Sequence, residues 1–563
     1  MPTFSDLLKD HYERKPDVVA VYLLHSGQPD FSLSYRQLIQ GSAGYVQTYA
    51  GQGVRPGEVI VLILQHGVDL LYAYFGAVLH GAIPAIMPFL TEKLLPERYR
   101  ADLASLVSVT QPSAIVTYPD FEPEVRAALK PGDSVRSVII SSQVGSPCEP
   151  DFLVLGGLKR KPEDIALLQH SSGTTGLQKG VALSHQAVFN QLESYRLALH
   201  MREDDIFVSW LPLYHDMGLI ACFLMPILLG YPLILMSPFD WVRAPYRLLQ
   251  AVSRYNGTLS WLPNFAYNFC AQKIRDRDLE GVDLSSWRAI SNCSEPMRWE
   301  SHQAFYERFR TFGLRYETLT TCYAMAENVF AVTQGGINGR VVVDEVDRDS
   351  LQIDRIARPP INGKTTIKML SAGRPIRNVA VRAVDGHGKD VPERHIGEIA
   401  LKSDCMLTEY YHRPDATKKA FLDGWYLTGD FGYLAEGEVY VTGRRKDLII
   451  VGGKNIYPQD LEQLAMDVPG VHPGRVVAFG VFNETTGTED VVMVAEVDEE
   501  EADERQRIAD QIRHVVTRGS AVALRYVHIV SKHWLVKTSS GKTARSANRE
   551  KFLAEMQKTG QMF

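Results

Sequence analysis

The sequence predicts an α/β multidomain protein, and three observations carry that reading. The chain is 563 residues long, more than a single hydrophobic core normally organises. From Ser34 onward helical periodicity alternates with short β-rich runs, the rhythm of parallel sheets covered by helices. After about Phe330 the texture shifts to charged, β-branched strand-and-turn segments, which reads as an antiparallel β subdomain.

Taken in order, YRQLIQGSAGYVQTYA reads as a helix, GEVIVLILQ as a strand, DLLYAYFGAVLHG as a helix and IPAIMPF as a strand. SAIVTY, SVIISS, a helix around Tyr246 to Tyr255 and the strand RAISNC continue the pattern. No fixed-period repeat interrupts it. Residues 219–236 are apolar enough to raise a membrane-spanning reading. Pro226 and the turn Gly230-Tyr231-Pro232 split them, which predicts a buried helix followed by a buried strand and no transmembrane segment. Residues 331–371 are rich in charge and β-branched side chains, and VAVRAVDGHGKDV and GEIALKS follow as strands. A second change of texture falls at VTGRRKDLIIVGGKN. The domain boundary is placed at 444–446, dividing the chain into 1–444, with a β-rich part at 331–444, and 445–563, with a helix near Pro458 to Met466 and a basic helical tail after Gly541.

Composition narrows the function classes. Hydrophobic residues at 45% against 22% charged describe a folded globular protein, and a formal charge of -6 argues against a general binder of nucleic-acid backbones. Cys148, Cys222, Cys270, Cys293, Cys322 and Cys405 are scattered with no CxxC pair, so a reducing cytoplasmic setting is expected. The start, MPTFSDLLKDHYERKPD, carries charge where a signal peptide needs an apolar stretch, and it lacks a myristoylation glycine.

The sharpest local signal is Ser171-Ser172-Gly173-Thr174-Thr175-Gly176-Leu177-Gln178-Lys179-Gly180. Small residues let backbone pass close to phosphate oxygens, while hydroxyls, amides and a lysine supply donors. The Walker A order is absent, and the flanks IALLQH and VALS read as two strands, so a hairpin flap over a triphosphate fits; taken alone it is also an ordinary hairpin. Trp210-Leu211-Pro212-Leu213-Tyr214-His215-Asp216-Met217-Gly218 puts a histidine and an aspartate at the start of an apolar helix, where backbone donors favour a carboxylate. Asp216 is equally a helix cap and His215 a core histidine. Thr321-Cys322-Tyr323-Ala324-Met325-Ala326-Glu327-Asn328 offers an aromatic face for a purine and a carboxylate for Mg2+, or simply a packed ring beside a solvated glutamate. In Gly424-Trp425-Tyr426-Leu427-Thr428-Gly429-Asp430 a carboxylate in a glycine-bounded turn can accept two ribose hydroxyls, and Arg444 in GRRKD can reach ribose or phosphate unless the cluster is a solvated turn. Lys542 in KTSSGKT sits on a glycine turn able to meet developing charge on a phosphate, or is a solvated tail lysine.

In sequence order, SSGTTGLQKG, CYAMAEN, GWYLTGD, GRRKD and TSSGKTAR resemble the successive core motifs of the adenylate-forming, acyl-activating superfamily. WLPLYHDMGL, SNCSEP, YAMAE and GGKNIYPQDLE are most similar to fatty acyl-AMP ligases, and the long stretch 328–370 lies where those ligases carry an insertion. The resemblance implies a large N-terminal domain of two α/β subdomains with parallel-rich sheets plus a β subdomain, and a small mobile C-terminal α+β domain. It implies ATP as substrate, Mg2+, a fatty acid, and a stand-alone acyl carrier protein acting in trans, since only a short tail follows the lysine motif; coenzyme A is the alternative acceptor. It assigns Ser171, Ser172, Gly173, Thr174, Thr175, Gly176 and Lys179 to pyrophosphate, Tyr323 with Ala324 and Met325 to the nucleotide, Ser294-Glu295-Pro296 to the adenine side, Glu327 to the metal, Asp430 to the ribose and Arg444 to the nucleotide. Lys542 is assigned catalysis together with His215, and Lys446 the hinge. Trp210, Met217, Leu219, Phe265 and Tyr267 are candidates for an apolar acyl pocket, with plain core packing as the other reading. An acyl-CoA synthetase shares nearly all these residues. A catalytically silent acyl or nucleotide binder is disfavoured by Glu327 and Lys542.

Overall fold

Two seven-stranded sheets frame the large N-terminal domain of this computed structural model, which describes all residues except 28, 90–95, 171–178, 361–364, 452–453, 484–487, 521, 539–541 and 559–563. The first sheet runs Leu319–Thr321, Ala289–Asn292, Leu259–Leu262, Phe207–Ser209, Leu233–Met236, Val19–Leu24 and Phe31–Ser34, parallel except for its last pair. The second runs Glu409–Tyr410, Gly180–Ser184, Ile165–His170, Ile83–Ile86, Val59–Ile63, Ala114–Thr117 and Ser137–Ile140; its first two pairings are antiparallel and the rest parallel. Strands such as Val59–Ile63 are buried at every position, which is why they read as continuous apolar runs rather than alternating ones. The covering helices carry their own boundaries: Ser34 and Gln37 form a capping box at the start of Tyr35–Gly51, and Gly81, at φ 86°, ends Val68–His80.

The apolar stretch at 219–236 is a helix followed by a strand, with one feature the sequence does not announce. Met217–Leu224 is a π-helix buried at every position, continued by Met225–Leu229 to Gly230 at φ 86°, and Leu233–Met236 is then an interior strand. Asp216 caps it, accepting from the Met217 N–H at 2.8 Å. At its far end Tyr35 donates to the Ile227 carbonyl at 2.8 Å, and His11 Nε2 lies 3.0 Å from the Leu228 carbonyl. Among the described residues no helix is long and apolar enough to cross a membrane. π-turns recur at functional sites, and this one follows directly on His215 and Asp216.

Gly218 is required where the π-helix begins, because a Cβ there would lie 2.2 Å from the Pro212 carbonyl oxygen. Gly218→Ala is expected to destabilise the large domain by about 2–3 kcal/mol and to displace His215. Chemical denaturation checks this against Gly339→Ala, where a Cβ meets nothing within 4 Å.

A five-stranded antiparallel sheet follows, built from Val379–Val384, Gly397–Ser403, Trp425–Ala435, Phe421–Leu422 and Glu438–Arg444. A two-stranded ribbon packs upon it: Val343–Asp347 pairs antiparallel with Thr366–Leu370, and Val346, Leu351 and Ala357 share a core with Ile396, Tyr433 and Tyr440. Asp344 is bound there by Arg394 at 3.0 Å and Tyr433 at 2.9 Å. The smaller C-terminal α+β domain has a three-stranded sheet of Val471–Asn483, Thr488–Val497 and Leu524–Val530. Ile449, Leu461, Ile512 and Val516 build a core on one of its faces, and Val481, Leu535 and Phe552 one on the other.

Candidate active site

One part of the candidate site forms where two parallel strands finish side by side. Ala289–Asn292 leads into Cys293-Ser294-Glu295-Pro296, and Leu319–Thr321 leads into Cys322 and Tyr323, with the ladder extended by Cys322 N–H to the Asn292 carbonyl at 3.0 Å. The carboxyl ends of parallel strands are where open α/β sheets hold ligands. Ser294 adopts φ 70°, a left-handed conformation rarely held by a non-glycine residue. Glu295 accepts from the Phe265 N–H at 3.0 Å, Pro296 is exposed, and Ala324 and Met325 are half-buried beside Tyr323.

Tyr323, buried, donates its hydroxyl to Asp430 Oδ2 at 2.7 Å, across 107 residues of chain. Arg444 donates to Asp430 Oδ1 at 3.2 Å and faces it as the register partner on the neighbouring strand. Burial and the Asp430 carboxylate push the Tyr323 phenol well above its ordinary range, and Asp430 likewise raises Arg444. Gly429 at φ 74° turns the strand, and Thr428 accepts from the Asp430 N–H at 3.0 Å. Each oxygen of Asp430 keeps a lone pair for a hydroxyl donor.

Glu327 lies in the short turn Ala326–Asn328, next to Val329 at φ 61° and ψ -56°. The Phe330 N–H closes on the Asn328 carbonyl at 2.6 Å, so Val329 centres a strained γ-turn, rare for a β-branched residue. Tyr410 donates to Glu327 Oε1 at 2.8 Å and lies 2.9 Å from the Tyr426 hydroxyl. Lys179 Nζ stands 4.4 Å over the Tyr410 ring. Burial lowers the Lys179 pKa, with Glu327 opposing. Ser171, Ser172, Gly173, Thr174, Thr175 and Gly176 lie outside the described residues; the strands flanking them, Ile165–His170 and Gly180–Ser184, form the antiparallel hairpin the sequence predicts.

Lys542 belongs to the small domain, and its charge is felt at His215 and Asp216. Its hairpin is closed by the Lys537–Thr543 bridge and by the Thr538 N–H to Lys542 carbonyl bond at 2.7 Å. Burial, with the Lys542 ammonium adding to it, pushes His215 down to about 3. Burial raises Asp216, and Lys542 opposes that shift. His215 is therefore neutral at physiological pH, and its Nε2 is buried without a hydrogen-bond partner among the described residues. A neutral imidazole with a free nitrogen beside a cation can take a carboxylic or phosphoryl oxygen by hydrogen bond without adding a second charge.

Next to it is an aromatic cluster. Trp210 stacks on Trp241 at 3.6 Å and 5° between planes, Phe265 meets Trp210 edge-on at 6.3 Å, and Phe269 lies 5.4 Å from Trp241. Met217 approaches the Ser294-Glu295-Pro296 loop, with Ser294 Oγ 3.8 Å from its sulfur, and Leu219 is buried in the π-helix. Tyr267 stands apart: its hydroxyl bonds the Ile290 carbonyl at 3.0 Å and its ring packs on His302 and Phe305, 5.1 Å from each. Two positions along a helix turn about 200°, so Phe265 and Tyr267 face different neighbours.

Lys446 is exposed in the turn Arg445–Asp447. Its neighbours are tied in opposite directions, Arg445 to Glu398 at 3.4 Å and Asp447 to Arg545 at 2.8 Å. Sequence reasoning missed Tyr410, Trp241 and Arg545. Arg545 closes the TSSGKTAR motif and was readable there; nothing in the local sequence distinguishes Tyr410 or Trp241.

The family model for AMP-binding enzymes matches residues 8–411, and the chain belongs to that family of adenylate-forming ligases. It is 31% identical to the medium-chain-fatty-acid–[acyl-carrier-protein] ligase JamA of Moorena producens, over 98% of this chain and 96% of the relative. It is 30% identical to the long-chain-fatty-acid–AMP ligase FadD32 of Mycobacterium marinum, over 89% and 86%. A solved structure from a study of fatty acyl-adenylate ligases of E. coli and L. pneumophila superposes with a TM-score of 0.89 at 27% identity, covering 99% of both chains.

Proposed function

We propose that the chain is a fatty acyl-AMP ligase: it activates a fatty acid with ATP as acyl-adenylate and passes the acyl group to the phosphopantetheine thiol of an acyl carrier protein. The observation that carries the reading is the Tyr323–Asp430–Arg444 cradle at the carboxyl end of the Leu319–Thr321 strand, and the charge of Lys542, from the small domain, acts on His215 and Asp216. Relatives named as acyl-carrier-protein ligases support the acceptor.

In this reading Asp430 and Arg444 hold the ribose, Tyr323 flanks adenine, and the hairpin ending at Lys179 grips the phosphates. One half-buried carboxylate, Glu327, fits Mg2+, which is typically bound by one or two carboxylates plus substrate phosphates; no group of three or more metal-ligating side chains occurs among the described residues. When bound, Mg2+ neutralises phosphate charge. A carboxylate oxygen of the fatty acid attacks the α-phosphorus, the bond to the bridging oxygen breaks, and pyrophosphate leaves with that electron pair. Lys542 stabilises the charge developing on the α-phosphoryl oxygens, and His215 orients the carboxylate. The Trp210–Trp241 cluster with Met217, Leu219 and Phe265 takes the chain. Rotation about Lys446 then withdraws Lys542, and the thiol sulfur attacks the acyl carbon, expelling AMP.

Mass spectrometry of products from ATP, Mg2+ and a panel of fatty acids tests this with no acceptor, with coenzyme A, and with a holo-carrier protein. Acyl-AMP that persists with coenzyme A and discharges onto the carrier is the expected result. Rapid acyl-CoA formation assigns the chain to the synthetases, and absence of adenylate from every acid overturns the reading.

A further inference from the structure

Arg298 lies two residues beyond Pro296, immediately before the helix Trp299–Phe309. It is rooted in the large domain: its N–H donates to Asn264 Oδ1 at 3.1 Å, and its backbone bridges Met369 of the two-stranded ribbon. Its guanidinium enters the small domain, donating to Asp460 Oδ1 at 2.8 Å and to the Gln459 carbonyl at 3.0 Å. Both acceptors sit in the first turn of Pro458–Met466. The same helix carries Glu462, which accepts from Arg545 at 2.6 Å and from the Ala478 N–H at 2.8 Å. Arg545 is three residues beyond Lys542. A short rigid path thus joins Arg298, through one helix, to the loop that presents Lys542.

We infer that Arg298 is a positioning residue: its ion pair with Asp460 latches the small domain where Lys542 faces the adenylation site, and the latch opens when the domain turns for thioester transfer. The inference rests on the two-step reading above. The side chains are 25% and 28% exposed, dry enough for the pair to bias an equilibrium and wet enough for it to break. Asp460 follows Lys446 in the chain, so rotation at Lys446 carries it away from Arg298.

The test separates the half-reactions. Arg298→Ala is expected to slow single-turnover acyl-AMP formation about fivefold to tenfold, leave KM for ATP unchanged, and leave transfer from preformed acyl-AMP equal or faster. Arg298→Asp and Asp460→Arg should each slow adenylation, and the double reversal should restore it to within about twofold. Independently of turnover, pulsed electron resonance between labels at Glu203→Cys and Gln506→Cys, in a Cys148→Ser background, should give a narrow interdomain distance that Arg298→Ala broadens. Unchanged adenylation with an unchanged distance distribution, equal slowing of both half-reactions, or no rescue by the reversed pair overturns the latch. If the unaltered enzyme forms no adenylate, the fatty acyl-AMP reading fails, and the distance distributions still decide the latch.

Discussion

Lys542→Ala is expected to form acyl-adenylate about 10²–10³-fold more slowly than the unaltered enzyme, the range seen when one preorganised donor to a developing oxyanion is removed. The loss should fall on the chemical step. Lys542 is half-buried on a hairpin whose backbone closure does not use the side chain, and Tyr323, Asp430 and Arg444, the proposed nucleoside cradle, bond one another without it. ATP affinity, measured by calorimetry, should therefore stay within a few-fold, and thioester formation from supplied acyl-AMP should survive, because the proposed rotation turns Lys542 away for that step. A Lys542→Ala enzyme with unchanged single-turnover rates would remove the lysine from the mechanism.

Asp430→Ala is expected to act on the other parameter, raising KM for ATP about 10²-fold, the scale of losing charge-assisted hydrogen bonds to a diol, with a smaller change in kcat. The carboxylate is buried, accepts from Tyr323 at 2.7 Å and Arg444 at 3.2 Å, and is the shared partner that orients both. Its removal strands a buried phenol and leaves the guanidinium without its ion-pair partner. Asp430→Asn, which keeps shape and loses charge, should fall between the two. Initial rates over an ATP series check the order, and equal KM values for all three enzymes would dismiss Asp430 as a ribose ligand.

The order of elements was largely legible because alternation and turn chemistry are local: Tyr246–Tyr255 and Pro458–Met466 occur with the bounds the sequence suggests. The π-helix at Met217–Leu224 was not, since a stretch apolar on every side has no periodicity to betray its winding. Site chemistry was legible where a motif concentrates it. Tyr323, Glu327, Asp430 and Lys542 all come from short glycine- or aromatic-marked segments. What the sequence could not supply was pairing across distance. That Asp430 accepts from Tyr323, that Tyr410 steadies Glu327, and that Arg298 meets Asp460 follow from register and domain packing, separated by 107, 83 and 162 positions. Tyr267 illustrates the converse: it is close in sequence to Phe265, yet its place on the helix turns it into the core between Ile290 and Phe305.

The Trp210–Trp241 stack has an optical consequence. Indole transitions couple when rings lie face to face at 3.6 Å and 5°, so this pair is expected to give a circular-dichroism and emission signal distinct from that of a lone tryptophan. Both rings are shielded from water, at 5% and 0% exposure, which keeps soluble quenchers away from them. A ligand that parts or tilts the two rings would change that signal without any label, a direct optical test of whether an acyl chain enters beside Phe265.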